Sequence, residues 1–523
     1  MSEAAFHNDR ATQLMSLGRY AEALPMLTVA IGLDPALAVA RSNLATCHFA
    51  LRQLPEARVA YRMAAAADRT FIYPRVQALA LARELCEWEQ WDEQVAELRA
   101  LAPSAQNTAP QLDLLFLPLQ PEELRQHAQS SAGPGNAWSP VPRRTGSPRV
   151  SIGYVSDEIR NHVVGSTLVE VLELHDRSRF DIHLFDWGKA GNSIVERRMR
   201  RAKIRVHDIA SMDDAQAASL IASLGIDVLV DLKGYTSGRR ADLFRRHAAP
   251  LQVGWLGYPG TLGAAYMDYI VADPFVIPRG EEGGYTEKVL RLPCVCLPGD
   301  RQRPIADTGN RAVYGLPEEA IVFCYFGRSA KITPDVFADW MDILSAVPHS
   351  VLWLRADNDL ARANLIRSAM GRGVAPGRLV FFRDGAHMRA SDLIARYRFA
   401  DLALDTHPYG SHVTASDALW AGCPLLTRVG RTYASRVAGS LLAQLGLESL
   451  ITTTRDEFRS VAIELARAPD RLRELRAALA RARETGPTFD TPRLTRALER
   501  AFSAIVQRHD RQMPPANLDI PVD

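Results

Sequence analysis

The sequence predicts an α/β fold in which two doubly wound parallel-sheet lobes follow one another along the chain, preceded by a segment of α-helical repeats. Three observations predict it: a 34-residue internal repeat at the start, a stretch rich in Pro, Gly and Ser after it, and two successive series of short apolar runs separated by helical or turn-rich segments. The boundaries drawn from them are 1–105 for the repeat helices, 106–148 for a linker, 149–305 and 306–485 for the two lobes, and 486–523 for a closing helix and tail. At 523 residues the chain is too long for one hydrophobic core.

The repeat comes first. Aligning "GRYAEALPMLTVAIGLDP" (18–35) with "RQLPEARVAYRMAAAADR" (52–69) superposes Tyr20 on Leu54, Ala23 on Ala57, Leu27 on Tyr61 and Ala30 on Ala64. That spacing, with small residues where two helices cross and Pro35 closing a unit, is the pattern of tetratricopeptide helix pairs. A third, degraded unit covers 72–105. Such pairs stack into a curved surface that grips extended polypeptide, which implies a protein or peptide partner.

The Pro/Gly/Ser-rich stretch is 128–148, and the texture changes beyond it. Apolar runs at 149–156, 180–187, 226–232, 251–260 and 269–273 give the strands of the first lobe. Runs at 321–327, 350–356, 378–382, 401–407 and 424–429 give those of the second. Two such lobes in tandem place a cleft between the carboxyl ends of their sheets, where a nucleotide-type ligand binds. The closing segment shows one amphipathic helix and a Pro-rich tail of no legible role.

Composition excludes several classes of function. Apolar residues make up 47% and charged residues 23%, as in a folded globular protein, and a net charge of +2 gives no reason to expect nucleic-acid binding. The six cysteines form no CxxC pair and read as reduced core residues. The polar start and the lack of an apolar run near 18 residues imply neither signal peptide nor membrane span, hence a cytoplasmic protein. The string "DND" (357–359) reads as a turn closing a strand, so no metal site is expected.

Four stretches carry chemistry. In "YGSHVTASDALWAGCP" (409–424) a turn at Gly410 and Ser411 opens a helix near Val413; its free N–H groups suit a phosphate, and His412 and Thr414 offer side-chain donors. Asp417, one turn along, is placed to accept from ribose hydroxyls. In "FGRSAKITP" (326–334) Lys331 follows a strand and precedes a helix opened by Thr333 and Pro334, so its ammonium faces the cleft. Of the 62 Lys and Arg residues only five are lysines, which gives this one weight. In "GYVSDEIRNHVVGST" (153–167) His162 stands at a helix start, suited to relaying a proton or to capping the helix. In "WLGYPGTLGAAYMD" (255–268) Gly257, Pro259 and Gly260 make a stiff turn that a ligand can approach closely.

Together these segments resemble the O-GlcNAc transferase family, the family 41 glycosyltransferases. The resemblance rests on "GYVSDEIRNHVVG", "DLKGYTSGRRADLFRRHAAPLQVGWLGYPGTLGAAYMDYIVAD", "AKITPDVFADWMDILSAVPHSVLWL" and "DLALDTHPYGSHVTASDALWAGCPLLTRVGRTYASRVAGSLL", four long stretches in the family's order. It implies a GT-B catalytic region and inverting transfer of a sugar, GlcNAc, from a UDP-sugar to Ser or Thr of a protein, with no metal or other cofactor. By position, His162 matches a histidine near the reacting centre, Lys331 the lysine on the diphosphate, and His412, Val413 and Thr414 the phosphate-binding helix start. Asp417 matches the ribose-binding aspartate and Arg396 an arginine that contacts uracil. Leu256, Gly257 and Pro259 match a loop around the donor sugar, and Tyr235 and Thr236 fall in another cleft-facing loop.

The chain also departs from the family pattern. Val413 stands where animal members carry a Thr, Arg328 replaces an amide residue before the lysine, and Ala330 replaces a tyrosine. "AKITP" is similar to the plant SPINDLY branch, which uses a GDP-fucose donor, whereas Asp417 agrees with the UDP-using members. Fucosyl transfer to oxygen, glucosyl transfer to nitrogen and a non-catalytic tetratricopeptide scaffold stay open as alternatives.

Overall fold

The computed structural model describes residues 2–133, 148–382 and 389–522. Three helix pairs open it: Glu3–Ser16 with Tyr20–Leu33, Ala38–Ala50 with Leu54–Ala67, and Ile72–Glu84 with Trp91–Arg99. Ala23, Ala30, Ala57 and Ala64 are fully buried, because side chains of one carbon let the helices pack closely. The third pair is docked on the second lobe, where Asn358 and Asn364 donate to Glu84 O and Leu85 O (3.0 and 2.9 Å).

Part of the expected linker is structured. Residues 106–133 carry helices Gln111–Leu114 and Pro121–Ala132, the second opened by Pro121 and by Glu123, which accepts the Gln120 N–H (2.6 Å). This helix lies on the first lobe, taking the Tyr235 hydroxyl at Ala128 O (3.2 Å). Its polar, Ser-rich last turns are what make it look like linker in the sequence. Residues 134–147, the rest of that linker, lie outside the described residues.

The first lobe is an eight-stranded parallel sheet: β1 Val150–Val155, β2 Phe180–Asp186, β3 Arg205–Asp208, β4 Val228–Asp231, β5 Leu251–Gly254, β6 Tyr269–Ala272, β7 Lys288–Arg291 and, after the second lobe, β14 Leu518–Asp519. Its order is β14-β7-β6-β5-β4-β1-β2-β3. Along β1, Ile152 and Tyr154 join one apolar core and Val155 the other, so the sheet is covered on both faces. The closing segment belongs to this lobe. Helix Thr491–Asp510 packs on helix Val163–Leu174, Glu499 takes the His175 Nδ1 proton (3.0 Å), and the tail adds β14 beside β7.

The second lobe is a six-stranded parallel sheet: β8 Ile321–Tyr325, β9 Ser350–Arg355, β10 Leu379–Phe382, β11 Leu402–Leu404, β12 Leu425–Arg428 and β13 Ile451–Thr452, ordered β10-β9-β8-β11-β12-β13. Strand order reverses between β1 and β4 in the first sheet and between β8 and β11 in the second. Those reversals are where open parallel sheets leave a crevice at their carboxyl ends. No described helix is long and apolar enough to cross a membrane.

Candidate active site

The site is built on the loops leaving β8 and β11. Asp405, buried just past β11, folds its loop: Oδ1 accepts the N–H groups of Thr406 and Ser411 (2.8 and 2.7 Å) and Oδ2 the Thr427 hydroxyl (2.7 Å). Helix Val413–Trp420 starts immediately after. Its first internal bond is from Ser416 N–H to His412 O (3.0 Å), so the amides of Val413, Thr414 and Ala415 have no partner within the helix and stand at the positive end of its dipole. Val413 and Thr414 are half-buried.

Lys331 reaches this mouth from the other loop. It ends the 3₁₀ turn Ser329–Lys331, and its Nζ donates to Gly410 O at 2.8 Å and lies 4.0 Å from the Tyr409 ring centre. Thr333 fastens the same loops by donating to His407 O (3.2 Å) while capping the helix that starts at Pro334. Burial pulls the Lys331 ammonium down to about 7; Asp405 opposes that shift and Arg328 adds to it. A bound diphosphate favours the charged form, so above pH 7 binding has to take up a proton. Affinity for such a diphosphate is therefore expected to fall by up to about tenfold per pH unit above 7, and calorimetry in buffers of different ionisation enthalpy is expected to show the proton uptake.

His412 does not act as foreseen. Its Nε2 faces Ala434 O at 3.0 Å, and a carbonyl can only accept, so Nε2 carries the proton. Burial and the Lys331 charge hold the ring down to about 3, leaving it neutral with Nδ1 as a bare acceptor. The side chain, stacked on Tyr409 at 4.9 Å, positions the turn rather than donating to an anion in this state. A tautomer set by a carbonyl 22 residues away was not legible in the local motif.

Asp417 pairs with Arg303 (3.1 Å), a residue the sequence did not single out. The Arg303 guanidinium lies over Trp420 and Phe489 (4.8 and 5.5 Å) and also bonds Ser416 Oγ (3.1 Å). Burial pushes the Asp417 carboxyl up to about 6, and Arg303 restrains it, which keeps a carboxylate available at neutral pH. Arg396 lies at the carboxyl edge of the same sheet with its guanidinium 4.2 Å from the Phe382 ring centre. Its Nε and Nη1 are buried without a hydrogen-bond partner among the described residues. Arg328 is largely exposed and turns toward the repeats, pairing with Glu84 (3.2 Å).

In the first lobe the outcome is mixed. His162 caps helix Val163–Leu174 through Nδ1, which is 3.4 Å from Val164 N and 3.5 Å from Glu158 Oε2. The two contacts demand opposite tautomers: accepting from Val164 puts the proton on Nε2, whereas donating to Glu158 frees Nε2 as a base. Lys233, fully buried, holds Glu158 (2.6 Å) and Asp157 (2.8 Å) in place. Leu256 has φ of +75° and Gly257 N–H bonds Trp255 O (3.0 Å); a Cβ on Gly257 would sit 1.9 Å from Leu232 O, so only glycine fits this turn. Leu256 and Gly257 are half-buried, but Pro259 is buried in packing. Tyr235 and Thr236 are spent on structure: the Tyr235 hydroxyl donates to Leu262 O (2.8 Å) and the Thr236 hydroxyl to Lys233 O (2.9 Å).

The "DND" string serves as turn and cap, Asp357 accepting the Ser329 N–H (2.6 Å) and Asn358 the Ala361 N–H (2.7 Å). What the two lobes form is a GT-B arrangement, with an amide-lined helix mouth and a half-buried lysine at the second sheet's strand-order reversal. Residues 140–309 and 305–498 match glycosyl transferase family 41, and 14–84 match the tetratricopeptide repeat. The chain belongs to glycosyltransferase family 41.

It is 34% identical over 393 residues to a probable UDP-N-acetylglucosamine–peptide N-acetylglucosaminyltransferase, SEC, of Arabidopsis thaliana, covering 73% of this chain and 40% of that one. It is 30% identical to the SPINDLY protein of Oryza sativa subsp. japonica, likewise described as a probable UDP-N-acetylglucosamine–peptide N-acetylglucosaminyltransferase, over 68% of this chain and 39% of that one. The chain thus spans about 40% of the length of these curated relatives. An O-GlcNAc transferase of Thermobaculum terrenum, solved in a mutant form, superposes with a TM-score of 0.74 at 28% identity, covering 98% of this chain and 99% of that one.

Proposed function

We propose that the chain transfers N-acetylglucosamine from its uridine diphosphate to a Ser or Thr hydroxyl of a protein acceptor, by direct displacement with inversion at the anomeric carbon. The observation that carries this reading is the Lys331 ammonium held 2.8 Å from Gly410 O at the mouth of helix Val413–Trp420. As the bond from the sugar to the diphosphate breaks, charge grows on the leaving β-phosphate. A fixed cation and three unpaired amides aimed at that charge stabilise the transition state more than the ground state, and the scheme needs no metal. The Asp417 carboxylate accepts from ribose hydroxyls, and the two unpartnered nitrogens of Arg396 suit the carbonyl edge of the base. His162, in the tautomer that donates to Glu158, takes the acceptor hydroxyl proton.

The donor named for both plant relatives supports N-acetylglucosamine. A polypeptide acceptor is supported by the repeats, whose second and third pairs line an open pocket of about 250 Å³ with Arg62, Arg69, Arg75, Glu93 and Glu97 on its walls. The test incubates purified protein with labelled UDP-GlcNAc or GDP-fucose and a cell extract. Label from UDP-GlcNAc in polypeptide, released by alkaline β-elimination, is expected. Label from GDP-fucose alone would overturn the donor, alkali-stable label the linkage, and donor binding without turnover the enzymatic reading.

A further inference from the structure

The buried arginine at the end of the third repeat's first helix bonds one half of the anion site directly and reaches the other through an aromatic ring. Arg83 is 2% exposed. A guanidinium at such depth needs partners for its charge and its N–H groups. Nη2 donates to Asp113 Oδ1 (2.9 Å) and Nη1 to Ala330 O (3.1 Å), while Nε is buried without a hydrogen-bond partner among the described residues. Ala330 is the residue before Lys331 in the same 3₁₀ turn. The guanidinium also lies 4.3 Å from the ring centre of Phe116, which stacks on Tyr409 at 4.5 Å and 19°. Tyr409 in turn carries the Lys331 ammonium at 4.0 Å and the His412 ring at 4.9 Å. One side chain from the repeat region therefore braces the lysine's own backbone and, through Phe116, the aromatic floor beneath its ammonium.

Attachment of the repeats to the second lobe does not require this arginine. Trp88 packs on Phe337 at 5.7 Å, and Asn358 and Asn364 hold the carbonyls of Glu84 and Leu85. A simple docking contact would be made at lower desolvation cost by apolar side chains of the same volume. Besides its ion pair with Asp113, Arg83 contacts the carbonyl next to Lys331 and the Phe116 ring, which reaches the ammonium through Tyr409.

We infer that Arg83, acting with Phe116, is a positioning residue that aims the Lys331 ammonium at the donor diphosphate, so that the third helix pair is part of the catalytic apparatus rather than only an acceptor grip. The inference rests on the functional reading above. Lys331 is faced by Asp405 and His412 from the β11 loop and by Arg328 from its own, and Arg83 fixes the turn that sets those distances.

The test uses the full chain with Arg83→Met, Arg83→Lys and Phe116→Leu, measuring UDP affinity and donor KM and kcat across pH 6 to 9, with melting temperature as the control. Misaiming the ammonium is expected to weaken UDP binding roughly ten- to a hundredfold in Arg83→Met. It is also expected to move the pH break in UDP affinity upward from its wild-type position near 7, because a lysine freed from its buried seat returns toward its ordinary range. Arg83→Lys keeps one donor and is expected to fall between; Phe116→Leu is expected to shift the break in the same direction and decides the matter if Arg83→Met does not fold. Wild-type UDP affinity and an unmoved pH break in the folded variants would overturn the positioning role alone, whereas a wild-type protein that binds no UDP would overturn the functional reading.

Discussion

Replacing Lys331 by Met is expected to lower kcat/KM for sugar transfer by about 10²–10³-fold, roughly 2.7–4 kcal/mol, while leaving the melting temperature unchanged or higher. The loss follows from geometry. In the proposed function the ammonium and the helix mouth at Val413 both bring positive charge to the diphosphate, and only the lysine is lost. The retained stability follows from burial. The ammonium sits in a seat that pulls it down to about 7, so the buried group opposes folding, fully at and below that pH and progressively less as pH rises toward its ordinary range, where the unfolded chain holds the extra proton. Methionine fills a similar volume without that opposition. Steady-state kinetics beside a thermal melt check both halves, and a drop in melting temperature of several degrees would show the lysine to be a structural ion rather than a catalytic one.

Asp405→Ala is expected to have the largest effect on stability. Its carboxylate takes three donors, from Thr406, Ser411 and Thr427, and all three are buried or nearly so. Stranding them costs about 1–3 kcal/mol each, less whatever water entering the vacated space recovers, so a net loss of about 3 kcal/mol is a conservative expectation. For a lobe of this size that lowers the melting transition by roughly 6–12 °C. Transfer is expected to be lost as well, since the same carboxylate shapes the turn that sets Gly410 O under Lys331. Asp405→Asn keeps an acceptor for the two backbone amides and is expected to lose less of both. Differential scanning calorimetry of the two variants checks the ranking; equal melting temperatures would show that the loop does not depend on this carboxylate.

Much of the fold was legible because buried parallel strands are continuous apolar runs. Strands β1, β2, β4, β5 and β6 and the five strands β8 to β12 all fall within such runs. Strands β3, β7, β13 and β14 escaped, and for β3 and β14 the reason is that their stability comes from elsewhere. β3, "RVHD", is an edge strand with Arg205 and Val206 exposed, and β14 is two residues held by pairing with Leu290 and Arg291. The tail that delivers β14 looked featureless because its partner lies over two hundred residues upstream in the chain. Helix Pro121–Ala132 was masked by its neighbours' composition, although Pro121 with Glu123 two residues later is a local helix-start signal.

At the site, Lys331 and the Val413 helix mouth could be read because strand, loop and helix succeed one another within a few residues. Arg303, Asp405 and Arg83 could not, since each acquires its role from a partner that is distant in sequence or invisible in composition. Asp405 carried one usable signal, an acidic residue directly after an apolar strand and before a Pro/Gly turn. Tyr235, Thr236 and Pro259, which the family resemblance places in loops at the cleft, are instead engaged inside the first lobe. Their hydroxyls and ring are used in packing the first lobe against itself and against helix Pro121–Ala132.

The central claim is that a diphosphate is held between the Lys331 ammonium and the start of helix Val413–Trp420. Titration calorimetry of UDP and of uridine into wild-type protein and Lys331→Met tests it most directly. The account predicts that wild-type protein binds UDP far more tightly than uridine, with proton uptake above pH 7, and that Lys331→Met loses most of that difference while binding uridine as before. Equal affinity of wild-type protein for UDP and uridine, or an undiminished preference for UDP in Lys331→Met, would contradict it.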